Sequence, residues 1–209
     1  MHSDKETSSD LAAVISARIC HDLVSPVGAV VNGIDLIREI GAGGLDDEFG
    51  MISQSAERAS GLLQFYRLAF GTAAADGERI ARDALIARTE GMITTPRITV
   101  NWQAAIDGPP LARPEARLLC QLLLCVRAIA GMSGMIEVSL DRADTFPMAV
   151  TLNGDGATDA AERLELLASD HVDVTPRSIE FAMARASSKA MGRQISVQRA
   201  PSRTTISVA

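Results

Sequence analysis

The sequence predicts an α+β protein: an N-terminal helical hairpin that dimerises into a four-helix bundle, followed by an α/β sandwich. Two stretches, Asp10 to about Ile40 and Leu45 to Phe70, repeat apolar residues every three to four positions. An alanine-rich break, Gly71 to Gly77, follows them, and beyond it short alternating segments interleave with helical ones. The expected organisation is therefore a flexible tail over 1–9, a hairpin over 10–71, a linker over 72–78 and a second domain over 79–209. A chain of 209 residues is long enough for two modest domains.

In the first helix the apolar positions are Leu11, Ile15, Ile19, Leu23, Val27, Val30, Ile34 and Ile37. Ser8, Ser9 or Asp10 can cap its start, and Gly41-Ala42-Gly43-Gly44 stops it. The second helix repeats Phe49, Ile52, Ala56, Ala59, Leu63 and Tyr66, with Asp46, Asp47 and Glu48 at its dipole-positive end. Two antiparallel helices cannot enclose both apolar stripes, whereas two such hairpins share one core. A homodimer is the expected state.

In the second domain, Arg79 to Arg88 suits a helix, and Arg97 to Trp102 places Ile98, Val100 and Trp102 on one face of a strand. Pro109 and Pro110 mark a loop before a strongly apolar helix, Pro114 to Ala130. Strands are expected at Met135 to Asp141 and Met148 to Asn153, around a charged hairpin. A helix at Pro176 to Met191, ended by Gly192, leads to strands at Gln194 to Arg199 and Thr204 to Val208. The sheet is expected to be mixed and covered by helices on one face.

Composition narrows the function. Hydrophobic residues make up 47% and charged residues 22%, which opposes global disorder. The net charge is −6 and no Lys/Arg cluster tracks along the chain, so nucleic acid is not an expected partner. Met1 to Asp10 lacks the apolar core of a signal peptide. The longest apolar stretches, such as Leu118 to Ala130, are interrupted by Gln121 and Arg127 and too short for a bilayer, so no membrane segment is expected. Cys20, Cys120 and Cys125 have no metal-ligand spacing and read as three small buried side chains in a reducing cytoplasm.

One residue stands apart on the first helix. At 100° per residue, His21 points about 160° from Leu23 and so faces water. Arg18, Ser25 and Gly28 lie near it at helical spacings, the small residues leaving room for a partner. Pro26 sits mid-helix, where proline costs roughly 3 kcal/mol, so a bend is retained just past an exposed histidine.

The run Ile19-Cys20-His21-Asp22-Leu23-Val24-Ser25-Pro26 resembles the phosphoacceptor motif of sensor histidine kinases: a histidine, an acid, a leucine, a variable residue, a small polar residue and proline. The wider segment Ala17 to Ala29, with Asn32-Gly33, resembles the ChpT-type histidine phosphotransferases of alphaproteobacteria. The resemblance implies that His21 accepts and surrenders a phosphoryl group, chemistry that a neutral imidazole supports near neutral pH. Asp22 would orient the ring or act as general base; adjacent helix residues do not face one another, so contact with a partner is the other reading. Arg18 balances phosphoryl charge or is merely solvated, and Ser25 binds a phosphate oxygen or packs closely before Pro26.

The second domain resembles the ATP-binding domain of the same kinases, in degenerate form. Where that family holds magnesium and phosphates with asparagines, this chain has Gln121-Leu122-Leu123-Leu124-Cys125-Val126-Arg127-Ala128, and leucines supply no oxygen ligands. The adenine-binding aspartate is replaced by Leu152, ahead of Asn153-Gly154-Asp155-Gly156, which reads as a tight turn favoured by positive φ at glycine. Val174 to Ile179 stands where a glycine-rich phosphate lid is expected. The resemblance thus implies a cytoplasmic phosphotransferase without autokinase activity, binding no ATP and holding no metal of its own. Its partners would be the receiver domain of an upstream hybrid histidine kinase, which brings Mg2+, and receiver domains of downstream response regulators. An ATP-dependent kinase core and a non-catalytic interaction module are the alternatives. His2 and His171 are assigned no role.

Overall fold

In the computed structural model, residues 3–40, 46–71, 77–102, 105–141, 146–156, 159–169 and 174–209 are described. The expected linker over 72–78, the stop at Gly41 to Gly44, the tip of the charged hairpin, His2 and His171 lie wholly or mostly outside them.

Two long helices open the chain, α1 (Ser3–Ile40) and α2 (Asp46–Ala69). They pack against each other as a hairpin. Helix α1 begins at Ser3 rather than at Asp10, because nothing between Ser3 and Ser9 breaks a helix. It continues through Pro26, which is buried and has no N–H to donate to the carbonyl of Asp22.

The two apolar stripes do not bury uniformly. Ile19 and Leu23 pack on the core, and Gly33 lies so close to Ile52 that a Cβ would meet its side chain. Val27 and Ile34, expected on the same buried stripe, are exposed with Val24 and Val31. On α2 the buried residues are Leu62, Phe65, Tyr66, Leu68 and Ala69, while Phe49 and Leu63 face outward. Each helix carries more apolar surface than one antiparallel neighbour can cover.

The second domain is built from β1 (Arg79–Ile80), α3 (Arg82–Ile93), β2 (Ile98–Asn101), β3 (Leu111–Ala112), α4 (Arg113–Ile129), β4 (Gly134–Leu140), β5 (Met148–Asn153), α5 (Ala160–Glu165), α6 (Ile179–Ala190), β6 (Ile195–Ala200) and β7 (Arg203–Val208). A five-stranded sheet runs in the order β2-β4-β5-β7-β6, parallel between β2 and β4 and antiparallel elsewhere. Ile136, Val138, Val150, Leu152, Ile206 and Val208 are buried in the core with α4, which packs on β5 and in turn against α6. The mixed sheet is as expected.

The expected helix at Arg79 to Arg88 is instead a short strand followed by a helix. Arg79 and Ile80 pair with Ala112 and Leu111, and Arg82 is held by the carbonyls of Pro109, Ala105, Asp107 and Asp141. Helix α6 starts at Ile179 rather than Pro176, after a turn in which Thr175 and Ser178 bond each other. Gly154 takes φ +142°, and a Cβ there would lie 2.9 Å from the Gly134 Cα, so the tight turn after β5 requires glycine.

Helix α4 fastens this domain to the hairpin. The last carbonyls of a helix have no partner within it, and here Gln121 Nε2 donates to Ala69 O at 2.7 Å and Arg117 Nη2 to Gly71 O at 2.6 Å. The end of α2 is thereby fixed beside the centre of α4.

Candidate functional site

His21 is 84% exposed on α1. Its Nδ1 lies 2.9 Å from Asp22 Oδ1. The other carboxylate oxygen, Oδ2, accepts from Arg18 Nε at 2.9 Å, one turn earlier, and from the Tyr66 hydroxyl on α2. Burial pushes the Asp22 carboxyl up, but bonds from Tyr66, His21 and Arg18 outweigh it and hold the group below its ordinary value. Asp22 therefore stays an ionised acceptor, in a geometry that favours a hydrogen on Nδ1 of the ring and leaves Nε2 as the nitrogen not engaged by Asp22.

Arg18 is not a free cation on this face. Besides Asp22 it donates through Nη1 to Pro176 O at 3.0 Å and lies 3.5 Å from Glu180 Oε2 on α6. Burial lowers the affinity of Arg18 for its proton, yet Glu180 and Asp22 together raise it above normal. Glu180 is 1% exposed, and its Oε1 has no partner among the described residues. Burial pushes its carboxyl up, with Arg18 offsetting part of the rise.

A cleft of about 390 Å³ opens beside His21 between the hairpin and the second domain. Arg18, Asp22 and Ser25 line it, together with Arg58 and Leu62 of α2, Met92 of α3 and Arg127 of α4. Arg58 and Arg127 form no ion pair among the described residues. Of the residues read from the sequence, His21, Asp22, Arg18 and Ser25 are brought together. Gly28 is not, although a Cβ there would meet nothing within 4 Å. Cys120 and Cys125 are buried as expected, whereas Cys20, beside His21, is exposed.

The positions that resemble a nucleotide site offer it little. Leu152 is buried in β5, Leu122 to Leu124 are buried in α4, and the Gln121 amide is engaged with Ala69. The leucines supply neither oxygen ligands for magnesium nor an acceptor for an adenine amino group, and Gln121 Oε1 is buried without a hydrogen-bond partner among the described residues.

Residues 82–203 match a family model described as the histidine phosphotransferase C-terminal domain. The chain belongs to the histidine phosphotransferase family. It is 37% identical over 147 residues to protein phosphotransferase ChpT of Brucella abortus (strain 2308), covering 69% of this chain and 68% of the relative. It also superposes on the 1.7 Å structure of a bacterial phosphotransferase with a TM-score of 0.73, at 26% identity and covering 96% of each chain.

In this histidine phosphotransferase, sequence reasoning missed Tyr66, Glu180, Arg58 and Arg127. Tyr66 did carry one usable signal: it is the chain's single tyrosine and sits on a stripe expected to be buried, where a hydroxyl needs a partner.

Proposed function

We propose that this histidine phosphotransferase acts as a carrier in a two-component phosphorelay, with His21 Nε2 as the phosphoacceptor. The observation that carries the reading is the engagement of Nδ1 by Asp22 while the rest of the ring stands in solvent. The Nε2 lone pair attacks phosphorus of a receiver's aspartyl phosphate. The bond from phosphorus to the aspartate oxygen breaks, and the aspartate leaves as a carboxylate. The ring keeps its Nδ1 proton and becomes cationic, and Asp22 balances that charge. Attack by a second receiver's aspartate reverses the step.

Phosphoryl transfer depends on positioning and charge neutralisation, and magnesium would arrive with the receiver. The upstream partner would be the receiver domain of a hybrid histidine kinase and the downstream partners those of response regulators. The buried leucines at the nucleotide-like positions support a degenerate ATP-binding domain and a protein without autokinase activity.

A homodimer is supported by Val24, Val27, Val31 and Ile34, exposed at 3-4-3 spacing like a coiled-coil seam. Contrary to expectation, Leu11–Glu39 of α1 is long and apolar enough to cross a bilayer, with mean hydropathy 1.4. That same helix bonds the second domain through Arg18, which a bilayer would forbid, so the apolar surface is read as a bundle face and the protein as cytoplasmic.

Incubation of the wild type and His21→Ala with a radiolabelled phospho-receiver, beside labelled ATP alone, tests the reading. Label on the wild type only, and only from the receiver, is the expected result. Label from ATP would make the protein a kinase, and no label from either source would leave an interaction module.

A further inference from the structure

Asp22 faces a geometric problem. Consecutive helix positions diverge by about 100°, so an aspartate does not of itself keep an oxygen on the preceding histidine. Something must fix its rotamer. Two donors do so from outside its own turn: Arg18 from one turn earlier and Tyr66 from the neighbouring helix, both on Oδ2, leaving Oδ1 for His21.

Of these, Tyr66 is the rigid one. It is 2% exposed, stacks on Phe70 with ring centroids 5.7 Å apart, and meets Phe65 edge-on at 5.7 Å. Its helix end is fastened to α4 through Ala69 and Gly71. The Arg18 guanidinium is shared with Pro176 and Glu180 of the second domain. A phenol in a packed aromatic row has no comparable freedom.

We propose that Tyr66 is a positioning residue for phosphoryl transfer: its hydroxyl locks the Asp22 carboxylate, which in turn holds His21 in the Nδ1-protonated form with Nε2 free. The inference rests on His21 being the phosphoacceptor. It assigns no contact between Tyr66 and the phosphoryl group.

Tyr66→Phe keeps the ring and its packing and removes the oxygen. At saturating phospho-receiver the transfer rate is expected to fall about tenfold, the scale of one lost charge-assisted hydrogen bond, with the half-saturating receiver concentration unchanged. Imidazole 15N spectra are expected to show His21 moving from one dominant tautomer to a mixture. An unchanged rate and tautomer would overturn the proposal, as would a change in receiver affinity alone, which marks a docking effect. If the wild type takes no label, the carrier reading fails and the positioning role falls with it, whereas label on the wild type with rate and tautomer unchanged in Tyr66→Phe overturns the role of Tyr66 alone.

Should Tyr66→Phe not fold, the single tyrosine allows a second measurement. Tyrosinate absorbance reports Tyr66 alone, and the phenol is expected to ionise at lower pH in Asp22→Asn than in the wild type. Identical titrations would overturn the proposal.

Discussion

Asp22 Oδ1 reaches 2.9 Å from His21 Nδ1 although the two residues are consecutive on one helix. Adjacent helix side chains ordinarily diverge, and the contact exists because donors from α1 and α2 turn the carboxylate back toward the ring. The acid thus acts on the histidine as part of an arrangement spanning two helices, not as a neighbour in sequence.

Asp22→Asn tests that arrangement. The amide carries no charge to balance the imidazolium and cannot accept as strongly from Arg18. Transfer from a phospho-receiver to His21 is expected to slow by about tenfold to a hundredfold, the scale of one lost charge-assisted hydrogen bond, while His21→Ala abolishes it. Single-turnover rates of the two variants provide the comparison. A normal rate in Asp22→Asn would assign the acid to partner contact.

The two carboxylates around Arg18 give opposite pH dependences. Asp22 is held below its ordinary value, so its stabilisation is present above the ordinary carboxylate range and is lost as pH falls through the depressed one. Glu180 is pushed above its ordinary value, so its contribution is present below that value and is lost as pH rises through the raised one. Thermal unfolding across acidic to neutral pH is expected to show Asp22→Asn flattening the acid limb and Glu180→Gln flattening the decline on the other side.

Much of this site was legible in the sequence, for reasons that differ by residue. The exposure of His21 was readable because helical periodicity sets the direction of a side chain, and its candidacy as phosphoacceptor came from the resemblance of the run His21 to Pro26 to the kinase motif. The sheet was readable because Ile136 and Val138, like Val150 and Leu152, alternate over one buried face. What periodicity cannot give is the partner of a polar atom. Tyr66 lies 44 residues from Asp22 and Glu180 lies 162 from Arg18, and only the crossing of α1 with α2 and α6 joins them. The same limit hid the bonds of Arg18 to Asp22, Pro176 and Glu180, where the sequence offered only a cation balancing phosphoryl charge or a solvated side chain. Val27 and Ile34 were placed on one stripe with Leu23, because a sequence does not say which neighbour covers an apolar face.

That uncovered face makes its own prediction. Val31→Asp introduces a charge into the exposed 3-4-3 stripe of α1 without entering the packed contact with α2. In a dimeric bundle the charge would be desolvated against its own copy. Sedimentation is expected to change from dimer to monomer, with circular dichroism unchanged. A wild type that sediments as a monomer would remove the four-helix bundle.

A phosphoryl group carried on His21, as proposed, would need cations, and the residue first suited to supply one is already committed. Arg18 bonds Asp22, Pro176 and Glu180, so drawing it to a phosphate would strip the Asp22 carboxylate and leave Glu180 buried without its partner. Arg58 and Arg127 line the same cleft from α2 and α4 and carry no such obligation. A guanidinium recognises phosphoryl oxygens and receiver carboxylates alike, so the two are expected to act on both encounter and transfer. Arg58→Gln and Arg127→Gln are each expected to lower the second-order rate of transfer by roughly tenfold at low salt, the scale of a lost charge pair at a steered interface, with a smaller deficit as salt screens the wild type. Arg18→Gln is expected to differ: it disturbs Asp22 and Glu180, so it lowers thermal stability as well as rate. If Arg18→Gln alone impairs transfer while both other variants match the wild type, the cleft cations have no part in the reaction and Arg18 leaves its ion pairs to take the phosphoryl charge.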